Sequence, residues 1–265
     1  MKTLVTPLVW TGRRGTSEYW LLAACGPIVL GAALLGWQLS WLSASTAGFC
    51  FLVLATLVAR HSRARTFHIA DVVTLVRGLG ICFLAGLSLQ ALVGGLERRA
   101  LVVMIVMGTL CLLLDGVDGR VARARREASA FGARFDVETD AAMLVVLSVA
   151  VAALGLAGWW VLAIPALRYG YVAASLGVPA LRTPLPYRFS GKVIAVVQAV
   201  ALLAVLAYGL TPGEQWVATA FLVAALALLC WSFGSSVVWQ LRHASQKITA
   251  TPVGVGDGGG VLDQI

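Results

Sequence analysis

The sequence predicts an all-α fold, a polytopic membrane helix bundle with about eight transmembrane helices. Of its 265 residues, 60% are hydrophobic and 12% are charged, whereas about a quarter of the residues in an ordinary soluble domain are charged. The apolar segments are long and lack the two-residue alternation of a membrane β-barrel. Helices satisfy their own backbone hydrogen bonds in lipid, so they are the expected spanning elements.

The first two predicted spans come from one uncharged stretch, residues 19–59. Its 41 residues contain no Asp, Glu, Lys or Arg, and a single helical span needs about 20 residues. Two helices therefore fit, with a turn near residues 38–45, where Trp37 and Trp41 are suitable interfacial anchors. Six further apolar segments follow, at residues 72–94, 100–114, 135–156, 158–178, 193–210 and 216–239.

Basic residues cluster at alternate ends of these spans. The clustered residues are Lys2, Arg13, Arg14, Arg60, Arg63, Arg65, Arg120, Arg123, Arg125, Arg126, Arg182, Arg188, Lys192, Arg242 and Lys247. By the positive-inside rule they face the cytoplasm, together with both termini, and the chain is expected in the cell (inner) membrane. The formal net charge of +8 then suits anionic lipid headgroups and phosphates. We expect no nucleic-acid partner.

Four of the chain's 12 acidic residues stand in one pattern. It reads DxxDGxxAR, eight residues, then GxxxDxxxD, with Asp115, Asp118, Asp136 and Asp140 as the aspartates. Within each block the aspartates are three or four residues apart, so each pair falls on one helical face. Adjacent antiparallel helices would gather four carboxylates, which repel one another unless cations neutralise them. Hard oxygen ligands suit two divalent ions, Mg²⁺ or Mn²⁺.

The other residues of the pattern suit phosphate binding. Gly119 and Gly132 have no side chain to block a ligand that approaches the backbone, and Arg123 can bind a phosphate bidentately. Helix packing or membrane topology explains any one of these residues taken alone. It does not explain the complete spacing.

Every defined position of the CDP-alcohol phosphotransferase signature is matched, by Asp115, Asp118, Gly119, Ala122, Arg123, Gly132, Asp136 and Asp140. The chain thus resembles the CDP-alcohol phosphotransferase (phosphatidyltransferase) family. The resemblance implies a six-helix catalytic bundle over about residues 71–239. It also implies transfer of a phosphatidyl or other substituted phosphate group from a CDP-linked donor to an alcohol, with CMP release, in phospholipid biosynthesis. Homodimers are common in the family.

The resemblance also implies residue roles. Asp115, Asp118 and Asp136 resemble metal ligands, and Asp140 resembles the general base and a contact of the second metal ion. The positions that resemble nucleotide-binding residues are Gly119, Ala122, Arg123 and Gly132. Upstream, Asp71, Thr74 and Arg77 resemble the family's NxxTxxR segment, with aspartate in place of asparagine. Thr74 is therefore a candidate for the donor site.

The acceptor side is less visible in the sequence. Arg168 stands near the middle of a predicted span, where an ionisable side chain is costly and is a functional candidate. Together with Arg134, Arg188 and Lys192 it could bind an anionic acceptor, which favours a phosphorylated polyol such as glycerol 3-phosphate or inositol phosphate. The alternative is that Arg168 pairs with an aspartate and stabilises the bundle. Membrane embedding favours CDP-diacylglycerol as the donor.

We divide the chain into three regions. They are an N-terminal extension with two spans (residues 1–60), the catalytic membrane domain (61–240) and a flexible cytoplasmic tail (241–265). Two other functions stay open. An aspartate-rich, Mg²⁺-dependent membrane prenyltransferase would also hold a diphosphate, and an ion-coupled transporter could use aspartates and Arg168 along an ion pathway.

Overall fold

The computed structural model describes residues 31, 40–62, 69–125, 130–178, 189–211 and 213–249. These residues form seven α-helices and a short 3₁₀ helix, and no strand occurs among them. The α-helices are α1 (Trp41–Ser62), α2 (Ile69–Gly94), α3 (Arg98–Arg125), α4 (Ala130–Ala153), α5 (Ala163–Gly177), α6 (Phe189–Tyr208) and α7 (Gln215–Thr249). The 3₁₀ helix, Trp159–Leu162, lies between α4 and α5. The predicted all-α class is confirmed for this part of the chain.

Three of the described helices are long and apolar enough to cross a membrane. Their apolar stretches are Leu75–Gly94 of α2, Arg98–Gly116 of α3 and Trp216–Arg242 of α7. Shorter apolar stretches, Trp41–Leu57 and Val193–Tyr208, lie in α1 and α6. The first predicted span falls in a segment of which only residue 31 is described. The total of eight spans therefore stays a prediction.

Helix α2 forms the centre of the bundle. Of its apolar stretch 61% is buried, against 33% for α3 and 22% for α7. It packs against α1, α3 and α4, while α4 also contacts α6, and α6 contacts α7. The outer helices keep large apolar side chains exposed, such as Trp231 of α7 at 80%. Such a surface suits a bundle that has lipid as its solvent.

Two glycines let neighbouring helices approach α2 closely. A Cβ atom at Gly78 would lie 2.7 Å from the side chain of Leu54 on α1, and one at Gly80 would lie 2.6 Å from Cys111 Sγ on α3. Small residues at helix contacts are typical of membrane bundles because lipid supplies no hydrophobic drive between helices. Cys111 is one turn before Asp115, so the close approach at Gly80 also sets the distance between α2 and the first aspartate.

Polar side chains join α2 to the helices around it. Ser88 donates a hydrogen bond of 2.7 Å from its hydroxyl to the carbonyl oxygen of Val146 on α4. At the end of α2, the Oε1 atom of Gln90 accepts hydrogen bonds from the Ser40 amide and the Ser43 hydroxyl, which stand at the start of α1. These bonds hold α1 antiparallel to α2.

A glycine turn ends α4. Gly155 has φ of +69°, a conformation that glycine adopts without strain. Its amide donates to the Ala152 carbonyl at 3.0 Å, and the Leu156 amide donates to the Val151 carbonyl at 3.1 Å, the bonds of a Schellman motif. The predicted span at residues 158–178 is then a 3₁₀ turn followed by α5. With 15 residues, α5 is about 22 Å long, shorter than a hydrocarbon core.

The last helix is longer than the sequence indicated. α7 continues to Thr249, so the first part of the segment 241–265, which we predicted to be a flexible tail, is helical. Arg242, His243 and Lys247 fall in this extension. Residues 250–265 lie outside the described part.

Candidate metal and catalytic site

Three of the four predicted aspartates meet between α3 and α4. Asp115 lies on α3, and Asp136 and Asp140 lie one turn apart on α4. One carboxylate oxygen from each residue lies within 4.8 Å of the others. The i, i+4 spacing on α4 turns Asp136 and Asp140 toward the same side, and that side faces Asp115. Below, Asp115, Asp136 and Asp140 are called the carboxylate cluster.

Arg77 of α2 binds this cluster. Its Nη1 atom donates to Oδ1 of Asp115 at 2.5 Å, and its Nη2 atom donates to Oδ1 of Asp136 at 2.6 Å. Nη2 also contacts the backbone oxygen of Asp136 at 3.3 Å and lies 3.4 Å from Oδ1 of Asp140. One guanidinium thus joins carboxylates of two other helices, and hydrogen bonds between charged partners are the stronger ones.

The four side chains differ widely in exposure. The Arg77 side chain is 1% exposed, that of Asp115 is 7%, that of Asp136 is 32% and that of Asp140 is 38%. Arg77 therefore forms the buried end of the site, and the α4 aspartates form its open end. Three carboxylates against one guanidinium leave a formal charge of −2, which suits a divalent cation.

The donor set fits Mg²⁺ or Mn²⁺, the ions that the sequence predicts. These cations prefer carboxylate oxygen ligands. Two oxygens bound to one Mg²⁺ at about 2.1 Å lie at most about 4.2 Å apart. The cluster, whose ligand atoms lie within 4.8 Å, would need only a small adjustment. Asp115, Asp136 and Asp140 could hold an ion together, and the partly exposed α4 residues give it access.

Helix α3 also contacts the Arg77 backbone. The Cys111 thiol lies 3.8 Å from the carbonyl oxygen of Arg77, in the geometry of a weak S–H hydrogen bond. Cys111 is also the residue that faces Gly80. The same contact region therefore fixes the register of α2 against α3 and the position of Arg77 beside Asp115.

Arg168, the predicted acceptor residue, lies on α5 and pairs with Glu138 of α4. Its Nη2 atom donates to Oε1 of Glu138 at 2.7 Å. Glu138 stands between Asp136 and Asp140 in sequence but on the opposite face of α4. The acidic partner of Arg168 is thus a glutamate, whereas the alternative interpretation expected an aspartate. Arg168 is 27% exposed and lies beside the turn of α4 that carries the cluster.

The remaining predicted residues lie at the same ends of the helices. Asp118, Gly119, Ala122 and Arg123 lie on the last turns of α3, and Gly132 lies on the first turn of α4. Thr74 lies on α2 one turn before Arg77, and Lys192 lies on the first turn of α6. The side chains at these positions, and Arg134 with them, fall outside the described part of the structure, as does the whole of Arg188.

Sequence reasoning gave Arg77 no role. It placed this residue only in the segment that resembles NxxTxxR. A signal was present, because Arg77 is a charged residue inside the apolar stretch 72–94, and such residues are functional candidates. The contact with Asp115 and Asp136 depends on how three helices pack, which the spacing of residues in one helix does not reveal.

A family model matches the part of the chain that contains this site. The family model described as CDP-alcohol phosphatidyltransferase matches residues 67–231, which is more than half of the chain and covers the carboxylate cluster and Arg77. No curated protein and no solved structure gives a significant match. The extent of the family match and the apolar spanning helices together lead to one conclusion. The chain is an integral membrane member of the CDP-alcohol phosphatidyltransferase family.

Proposed function

We propose that this protein transfers a phosphatidyl group from CDP-diacylglycerol to a small alcohol or polyol phosphate and releases CMP, as a step of phospholipid biosynthesis. The observation that carries the proposal is the meeting of Asp115, Asp136 and Asp140 beside Arg77, in a chain of this family. A partly buried anionic cluster inside a membrane bundle is costly. Binding a cation and a diphosphate would offset that cost.

The donor would bind across the ends of α3 and α4. Asp115, Asp118, Asp136 and Asp140 would hold two divalent ions, Mg²⁺ or Mn²⁺, which when bound neutralise charge on the diphosphate. Gly119, Ala122, Arg123 and Gly132 would bind the nucleotide part, since glycines leave room near the backbone and Arg123 offers a planar cation. Thr74 would add a hydroxyl contact to the donor.

Asp140 would act as the general base. Its carboxylate takes the proton of the acceptor hydroxyl while that oxygen attacks the β-phosphorus of the donor. The bond between the β-phosphorus and the bridging oxygen breaks, and CMP leaves with that oxygen. Asp140 is the most exposed member of the cluster, at 38%. A base that meets a substrate arriving from outside should be accessible in this way.

An anionic acceptor would be bound by Arg168, Arg188 and Lys192, together with Arg134. The Arg168 side chain is held at the same turn of α4 as the cluster by its 2.7 Å bond to Glu138, and 27% of it remains exposed. A partly exposed guanidinium can bind a phosphate as a further partner. A phosphorylated polyol, such as glycerol 3-phosphate or inositol phosphate, is therefore the favoured acceptor over a neutral alcohol.

We propose that this site lies on the cytoplasmic side of the cell membrane. The basic residues near the cluster end of α3 and the start of α6 follow the positive-inside rule. Water-soluble acceptors are available on that side, and CMP would be released there. The diacylglycerol chains of the donor would lie among the apolar helices while its cytidine stays at the membrane surface.

The proposal is tested with the purified full-length protein in lipid nanodiscs. It is incubated with CDP-diacylglycerol, Mg²⁺ or Mn²⁺ and a panel of acceptors, and CMP and the lipid product are measured by mass spectrometry. We expect metal-dependent CMP release matched by one phosphatidylated acceptor. Glu97→Gln is a suitable control, since Glu97 is an exposed carboxylate at the other end of α3. Absence of CMP release with every acceptor would contradict the proposal.

A further inference from the structure

We infer that Arg77 is a positioning residue for the metal site: its guanidinium holds Asp115 and Asp136 from the buried side, so that the carboxylate cluster is assembled before a divalent ion arrives. The inference rests on the proposed function, because it takes these aspartates to be metal ligands. It goes further in giving a role to a residue of a third helix.

The contact between Arg77 and the carboxylate cluster joins two helices through one planar group. Arg77 uses two different nitrogens for two different helices, Nη1 for Asp115 on α3 and Nη2 for Asp136 on α4. A guanidinium is planar, and its nitrogens keep fixed directions. It therefore sets the separation and orientation of the two carboxylates. A single ammonium nitrogen at the same place would keep the charge without the fixed geometry.

The side chains of Arg77 and the carboxylate cluster lie at different depths in the protein. Exposure increases from Arg77 through Asp115 and Asp136 to Asp140, from 1% to 38%. An ion that enters from the open side therefore meets the α4 aspartates before it reaches the guanidinium. The ion and Arg77 would lie on different sides of the carboxylates, and the ion would not need the place that Arg77 occupies.

Arg77 is also anchored by a contact that does not depend on carboxylate charge. Its Nη2 atom also contacts the backbone oxygen of Asp136 at 3.3 Å. The Cys111 thiol contacts the carbonyl oxygen of Arg77 and so holds the backbone of α2 at this residue. A guanidinium that moved away on metal binding would lose the first contact and would have to leave a buried position. These contacts favour a permanent support for the ligands over a counter-ion that the metal displaces.

The test measures metal binding directly. Full-length protein in nanodiscs is stripped with chelator and titrated with Mn²⁺, and the free ion is followed by its electron paramagnetic resonance signal. Residues that orient metal ligands typically contribute 10- to 100-fold to affinity. We expect Arg77→Lys and Arg77→Met each to weaken Mn²⁺ binding by about tenfold or more. Arg77→Lys keeps the positive charge at this position. It therefore still tests the inference if Arg77→Met does not fold.

Ser88→Ala is the matched control. Ser88 also joins α2 to α4, through its hydrogen bond to Val146, but about 16 Å farther along α2. The Ser88→Ala variant should bind Mn²⁺ as the wild type does. If Ser88→Ala weakened binding equally, general loosening of α2 against α4 would explain the Arg77 variants, and the inference would be wrong.

Two results would overturn the inference directly. Wild-type affinity in Arg77→Lys would mean that charge alone is needed. Tighter binding in Arg77→Met would mean that the guanidinium competes with the ion. Failure of the wild type to bind Mn²⁺ would overturn the metal site of the proposed function and this inference with it. Mn²⁺ binding that depends on Arg77, without CMP release from any donor, would count against the proposed function alone.

Discussion

The Arg77 guanidinium on α2 lies 2.5 Å from the Asp115 carboxylate on α3, and both side chains are almost completely buried. A buried ion pair is a poor source of net stability, yet removing one partner leaves an uncompensated charge and is strongly destabilising. The pair therefore links the fold of the bundle to its site. Changes at Asp115 should affect stability as well as activity.

Asp115→Asn should lower thermal stability even without metal. The variant removes the charged hydrogen bond between Arg77 and Asp115, while Asp136 still pairs with Arg77, so we expect a cost of about 2 kcal/mol. Thermal unfolding of the chelator-treated protein in nanodiscs would measure the change. Ser88→Ala, which removes one hydrogen bond between α2 and α4, should cost only about 1 kcal/mol. A melting temperature equal to that of the wild type would show that the Arg77 to Asp115 contact does not support the fold.

Asp140→Asn should abolish transfer while the donor still binds. General bases contribute about 10²- to 10⁴-fold to rate, so turnover should fall by at least about 100-fold. CMP release would be measured beside equilibrium binding of CDP-diacylglycerol. Glu97→Gln, the same chemical change at an exposed position outside the site, should leave both unchanged. Wild-type turnover in Asp140→Asn would reject the role of Asp140 as base.

Asp118→Asn should shift the metal requirement. Asp118 is one of the four predicted ligands and lies on α3 one turn beyond Asp115. Loss of its charge should raise the Mg²⁺ concentration that gives half-maximal CMP release, by about 10-fold or more, a typical effect for groups around a metal site. The measurement is a Mg²⁺ titration at saturating donor. A titration curve that coincides with that of the wild type would remove Asp118 from the ligand set.

Gly80→Ala should separate α2 from α3 and reduce activity. The added Cβ would lie 2.6 Å from Cys111 Sγ, and overpacking of this kind costs about 1 to 3 kcal/mol. Gly48→Ala is the control, because a Cβ at Gly48 meets nothing within 4 Å. Alanine there should be neutral or stabilising, since it favours the helix. Equal melting temperatures for the two variants would show that the close approach at Gly80 is unimportant.

Arg168→Met should impair phosphorylated acceptors more than neutral ones. If Arg168 binds the acceptor phosphate, its loss should raise the KM for that acceptor by about tenfold, equal to about 1.4 kcal/mol, with a smaller effect on the KM for the donor. Glu138→Gln separates this role from a structural one, because it breaks the same ion pair and retains Arg168. The same KM change in both variants would indicate that only the ion pair matters.

Much of the fold could be predicted from composition, because lipid strongly limits what a 60% apolar chain can do. Both helices that carry the aspartates were predicted, but α3 continues to Arg125, well beyond the predicted segment 100–114, and α4 begins at Ala130, before the predicted residue 135. Helix α1 begins at Trp41, inside the predicted turn. The short α5 and its preceding 3₁₀ turn were missed. Hydropathy does not distinguish one long helix from two short elements. The backbone hydrogen bonds at Gly155 that end α4 are local features, which hydropathy does not detect.

The carboxylate cluster was predictable because its spacing is periodic. Asp136 and Asp140 are one helical turn apart, and the antiparallel neighbour carries Asp115. The roles of Arg77 and Glu138 were not predictable in the same way. Each depends on the rotation of one helix against another, which is set by close contacts such as Gly80 with Cys111. Single-chain periodicity carries no information about that rotation.

In the proposed reaction the acceptor oxygen attacks the β-phosphorus and CMP departs. The bond that forms can be followed with an acceptor whose hydroxyl carries ¹⁸O, incubated with the protein, metal ion and CDP-diacylglycerol. We predict that the label is found in the lipid product, in the oxygen that joins phosphorus to the acceptor, and that the released CMP is unlabelled. Label in a cytidylylated acceptor, with phosphatidic acid as the other product, would show that the acceptor attacks the α-phosphorus instead and would rule out phosphatidyl transfer.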